Sequence, residues 1–145
     1  MSNRGAEGKL LVPRVGRDAT DPFTAFRAAM ETRDVDEAVS LFAADATFLS
    51  PVVHTPYVGH EPLRAILRAV VTVFENFRYT SSYASDDGHV FSFTARVGDR
   101  ELHGVDVLRG SDGVLTELSV MVRPYSAATV LRGHMAALLT LAGPT

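Results

Sequence analysis

Residues 77–124 read FRYTSSYASDDGHVFSFTARVGDRELHGVDVLRGSDGVLTELSVMVRP. Polar and apolar side chains alternate with a period of two through four runs, Phe77–Ser85, Val90–Val97, Leu102–Leu108 and Leu115–Val122, the pattern of strands with one buried face. The gaps are Asp86-Asp87-Gly88, Gly98-Asp99-Arg100 and Gly110-Ser111-Asp112-Gly113, residue types that accept the positive φ of tight hairpins. Neighbouring runs therefore pair antiparallel in a meander. Pro124, which cannot extend a central strand, ends it.

Upstream of this stretch the period is helical. Asp21 is placed to cap a helix with Pro22 at its first position, and Phe23, Phe26 and Met30 share one face. A second short helix follows Asp34, with Val35, Ala38, Val39 and Phe42 on its apolar side. Ala46-Thr47-Phe48-Leu49 reads as a strand, followed by a loop from Ser50 to Gly59. A third helix spans about 61–74, with Leu63, Ile66, Leu67, Val70, Val71 and Phe74 as its stripe, and a last helix spans about 126–141. Helices first and strands after predict an α+β fold, a curved and mostly antiparallel sheet whose concave face the early helices cover.

Length and composition agree with one domain. The chain has 145 residues, 46% of them hydrophobic, and a formal charge of -3, so it lacks the broad basic field of a nucleic-acid binder. It has no cysteine, which excludes disulfides and thiolate chemistry. No apolar run is long enough for a membrane span. Residues 1–20 carry Arg4, Lys9, Arg14 and Arg17 against Glu7 and Asp18 and read as an arm, flexible or docked through Leu10–Val12, ahead of a domain over 21–145. They lack the apolar core of a signal peptide, so a cytoplasmic protein is expected.

Several short motifs, in this order, resemble the SnoaL-like branch of the nuclear transport factor 2-like superfamily. They are Ala44-Asp45-Ala46-Thr47-Phe48, Ser50-Pro51, Tyr57-Val58-Gly59 opening a helix, and Gly104–Arg109 with Asp112-Gly113. The resemblance covers about residues 22–140. It implies a cone-shaped barrel around the N-terminal helices, a central pocket, and pairing as a homodimer. The half-apolar outer face of the last strand, Ser119 and Met121 between Glu117 and Arg123, suits such a partner.

The site is read from parity and from this resemblance together. Leu102, Gly104, Asp106 and Leu108 share one strand face; His103, Val105, Val107 and Arg109 share the other. Asp106-Val107-Leu108-Arg109 resembles the ketosteroid isomerase segment that carries its pocket carboxyl, which makes Asp106 the first catalytic candidate. The alternative is a carboxylate held by an arginine or by backbone donors, or a strand face turned to solvent. The same pattern places its base at Ser50 and its tyrosine donor at Phe26, neither of which can take that role here. The limonene epoxide hydrolase pattern needs an Asp, Arg, Asp set across two neighbouring strands, and the matching last-strand face here is Leu118, Val120 and Val122. Phe26, Ser50, Leu118 and Val120 are then expected to line the pocket and contact a ligand.

The loop His54–His60 borders the pocket mouth in this family. His54 is the second catalytic candidate, as an acid or base beside Asp106, and Tyr57 is a ligand-binding candidate. His60 is expected to cap the third helix. The histidines lie too far apart in the chain for a metal-binding motif, so no metal is expected, and no cofactor motif occurs. Two functions fit these residues. One is a cofactor-independent cyclase, isomerase or dehydratase acting on a small apolar carbonyl compound; the other is a non-catalytic binding protein for a small hydrophobic ligand.

Overall fold

A computed structural model describes residues 21–141 of the chain; the arm over 1–20 lies outside the described residues. Helix α1 (Pro22–Glu31) starts where expected, with Asp21 Oδ1 accepting from the Thr24 amide at 2.8 Å. Helix α2 (Val35–Ser40) is capped by Asp34, which accepts from the Glu37 amide at 3.1 Å. Strand β1 spans Phe42–Leu49 and strand β2 only Tyr57–Val58. Helix α3 (His60–Val73) leads into β3 (Glu75–Ser85), β4 (Gly88–Val97), β5 (Arg100–Ser111) and β6 (Val114–Arg123), and α4 (Tyr125–Leu141) closes the described chain.

The meander is as the alternation requires. Ser85 pairs with Gly88, Val97 with Arg100 and Ser111 with Val114, so each hairpin turns on two residues. At the last turn Asp112 and Gly113 both have positive φ, 55° and 80°, the backbone of a turn whose twist matches paired strands. The sheet runs β2-β1-β6-β5-β4-β3 and is antiparallel except where β1 lies parallel to β6. Register shifts within β3 and at Arg109–Gly110 bend it. The α+β fold expected is the one observed, a curved wall that stays open between its edge strands β2 and β3.

Three local expectations are corrected. Phe42 continues the helical spacing of α2, yet it begins β1 and pairs with Leu115; α2 stops at Ser40, and Leu41 turns its carbonyl to the Leu115 amide at 3.0 Å. The loop over 50–59 contains β2, whose two residues are too few to show alternation. His60 does not cap α3. Gly59, at φ 104°, is the cap residue, and His60 Nε2 instead reaches the Phe42 carbonyl at 2.8 Å, tying the helix to β1.

The core lies between the concave face and the helices. Phe26, Val39, Phe93, Val97, Leu108, Leu115 and Leu118 are its largest fully buried side chains. Helix α4 also belongs to it through Ala127, Leu131 and Met135, all buried, so the last helix shares the task of the early ones. No described helix is long and apolar enough to cross a membrane.

Candidate functional site

Strand parity carries Asp106 into the interior. Leu102, Gly104, Asp106 and Leu108 of β5 are buried, while His103 and Arg109 are exposed. Asp106 sits between Phe91 of β4 and Val120 of β6 and is only 7% exposed. Tyr79 of β3 reaches across β4 and donates its hydroxyl to Asp106 Oδ2 at 2.8 Å. Oδ1 has no hydrogen-bond partner among the described residues. A buried polar atom left open in this way is costly unless a ligand or water meets it.

Burial pushes the Asp106 carboxyl from 3.8 up to about 7, against the opposing pull of the Tyr79 hydrogen bond. Burial also holds the Tyr79 phenol well above its ordinary range, and the Asp106 charge adds to that, so Tyr79 stays the donor at neutral pH. Arg27 of α1 lies over two rings of the sheet, its guanidinium carbon 5.5 Å from the centre of the Tyr79 ring and 5.7 Å from that of Phe91.

A cavity of about 290 Å³ has Asp106 in its wall. Helix α1 lines it with Phe26 and Met30, α3 with Ile66 and Leu67, the sheet with Phe93 and Leu118, and α4 with Leu131 and Met135. Gly104 lies beneath the Phe93 ring. A Cβ there would lie 2.5 Å from Phe93 Cζ and 2.7 Å from the Met121 carbonyl oxygen, so only glycine lets the Phe93 ring cross β5 beside Asp106.

Of the residues singled out in the sequence, Asp106, Phe26, Ser50, Tyr57, Leu118 and Val120 all line this cavity. Ser50 Oγ accepts from the amides of Val52 and Val53 at 3.0 and 3.1 Å, which holds the loop at the cavity edge. Tyr57 packs on Phe48, ring centres 6.2 Å apart. His54 is exposed and is not among the lining residues, so the structure does not bring it to Asp106. His89 stacks on Phe91 at 4.5 Å. No group of three or more potential metal ligands occurs among the described residues.

Two residues of the site were not singled out. Tyr79 shares the inward parity of Phe77, but its contact with Asp106 spans an intervening strand and depends on two registers at once. Arg132 lies in the cavity wall on α4, and only the docking of that helix puts it there.

The fold and these residues can be set beside known proteins. The family model described as SnoaL-like domain matches residues 23–118. A solved structure of a steroid delta-isomerase from Pseudomonas aeruginosa is 38% identical, with 84% of this chain and 93% of that one covered and a TM-score of 0.79. An uncharacterised protein with a cystatin-like fold from Silicibacter pomeroyi is 26% identical over 80% of this chain and 83% of its own, TM-score 0.76. TerC, co-crystallised with polyporic acid, shares the fold at 18% identity over 79% of this chain and 95% of its own, TM-score 0.60. No curated protein matches the chain.

Proposed function

The chain belongs to the SnoaL-like domain family, and on that footing we propose that it binds a small apolar carbonyl compound in the cavity and moves a proton on it through Asp106, without a cofactor. One observation carries this reading: a buried carboxyl in the wall of an apolar cavity, with one oxygen held by Tyr79 and the other without a hydrogen-bond partner among the described residues. With the carboxyl poised at about 7, acid and carboxylate coexist at neutral pH. The carboxylate can take a proton from the carbon next to the carbonyl, and the acid so formed can return it at another position. Tyr57 lines the same cavity and supplies a hydroxyl for the carbonyl oxygen on which charge develops.

Isomerisation, cyclisation and dehydration are the reactions within reach of such a site. The 38% identical relative named a steroid delta-isomerase favours the first. The positions that resemble that chemistry's base and tyrosine donor are Ser50 and Phe26, so Asp106 must act without them. A bicyclic ketone such as β-tetralone is a suitable probe, because exchange of its acidic C–H protons in heavy water follows directly by NMR. The parent protein should accelerate the exchange, and Asp106→Asn should lose the acceleration while still binding the ketone. An Asn variant as fast as the parent removes Asp106 from the chemistry.

A second reading, binding without chemistry, draws on one observation. Asp106 is the sole carboxyl among the described lining residues, and no histidine joins it. Binding with no accelerated exchange in the parent is its signature.

We also propose that two copies pair through the outer sheet face. Val105 lies opposite Met121 and Val107 opposite Ser119, and Met121 is 57% exposed, which leaves an apolar strip for a partner. Light scattering should return twice the chain mass of 15.7 kDa; the monomer mass at micromolar concentrations would end this part.

A further inference from the structure

The cavity has a second charged residue, and it stands at the opposite depth from the first. Asp106 is buried, whereas Arg132 is exposed, as are Val53 and Ala136, which line the same cavity. These three mark where the cavity meets solvent. Arg132 follows the buried Leu131, precedes the buried Met135 by three positions, and is the only Lys, Arg, Asp or Glu of α4. The helix thus sets a single cation on an otherwise apolar rim.

Arg27, Arg64, Arg68, Arg96, Arg100 and Arg109 each lie between 3.1 and 3.6 Å from a carboxylate; Arg132, like Arg33, Arg78 and Arg123, has no carboxylate partner among the described residues, and of these four it alone lines the cavity. A neutral ligand filling the cavity offers this exposed guanidinium nothing beyond its water, whereas a ligand carboxylate would accept its fork of N–H donors. Size narrows the ligand further. An apolar cavity of about 150 Å³ holds one benzene, and this one is about 290 Å³, so two fused rings fill it.

We propose that the cavity selects a two-ring compound bearing a carboxylate, with its carbonyl or hydroxyl end against Asp106 and its carboxylate on Arg132 at the mouth. Arg132 is then the residue that sets specificity for acids, and Asp106 the residue that meets the reacting end. The inference rests on the reading of the cavity as the ligand site and adds the class of ligand it takes.

Calorimetry at neutral pH with β-naphthol and a hydroxynaphthoate tests it, because the two probes share the ring system and the hydroxyl and differ by the carboxylate. The parent should bind the hydroxynaphthoate about fivefold more tightly, the scale of one partly exposed ion pair, and added salt should shrink the difference. In Arg132→Gln the ratio of the two affinities should fall to about one. Arg68→Gln, an exposed arginine of α3 outside the cavity wall, should keep the parent ratio. A parent without the preference, or an Arg132→Gln variant that retains it, overturns the inference. Asp106→Leu separates it from the reading beneath. If that variant binds β-naphthol as the parent does while Arg132→Gln still abolishes the preference, the role of Asp106 fails and the role of Arg132 stands. If neither probe binds the parent, both fail.

Discussion

At the inner end of the cavity, Phe93, Asp106 and Leu118 stand on three neighbouring strands, β4, β5 and β6, and each is buried. At the mouth, Val53 comes from a loop and Arg132 from the last helix, and both are exposed. The inner residues are placed by paired backbones, where a slip of one position would turn Asp106 out toward solvent and Val105 or Val107 inward. The outer residues are placed by the packing of whole elements and carry little of the core. On the function proposed above, the difference would separate two tasks: proton chemistry held where geometry is stiff, and selection of the ligand left where side chains can change at little cost to folding.

The sharpest way to break this contrast is to cut both ends alike. Phe93→Ala should cost about 3–5 kcal/mol, as buried aromatic truncations do, and Val53→Ala should stay within about 0.5 kcal/mol. Urea denaturation measures both, and equal costs would erase the distinction.

Asp106→Asn comes next, and its effect depends on pH. The folded protein keeps the Asp106 proton up to about pH 7, whereas an unfolded carboxyl loses it near ~4. Between those values folding takes up a proton, so the parent is most stable at the acid end and loses stability as pH rises through 7. Asn does not titrate. The variant should therefore gain on the parent from pH 4 upward, by at most roughly 4 kcal/mol above pH 8. Denaturation curves whose difference does not change with pH would show that the carboxyl is not buried.

Tyr79→Phe should have a smaller effect than either buried-site change, about 1–3 kcal/mol from the partner lost to a buried oxygen. Because the hydroxyl holds the Asp106 carboxyl down against burial, its removal should move the Asp106 midpoint further up. A carbon NMR titration of that carboxyl reads the shift; an unmoved midpoint would mean that Tyr79 is not its partner.

Much of this architecture is legible along the chain. Alternation in 77–124, the hairpin residues and the capping residues Asp21 and Asp34 are local signals, and local hydrogen bonding or burial of one face enforces each. Asp106 was legible for the same reason, since its inward direction follows from parity once Leu102 and Leu108 are known to be buried. Phe42 shows where such reasoning stops. Its spacing suits α2, but pairing with Leu115, more than seventy positions away, draws it into β1. His54 marks the same boundary: residue type and loop position nominated it, and the path of the loop leaves it outside the cavity wall.

The sequence by itself determined the four helices, the strands of the meander and their order, and the face on which Asp106 stands, because each depends on neighbours within one strand, turn or helix. Only the tertiary structure decided that Tyr79 donates to Asp106, that Oδ1 has no partner among the described residues, and that α4 brings Arg132 to the rim. These contacts join residues from separate elements, through strand register and helix docking, and no periodicity along the chain encodes where two such elements meet.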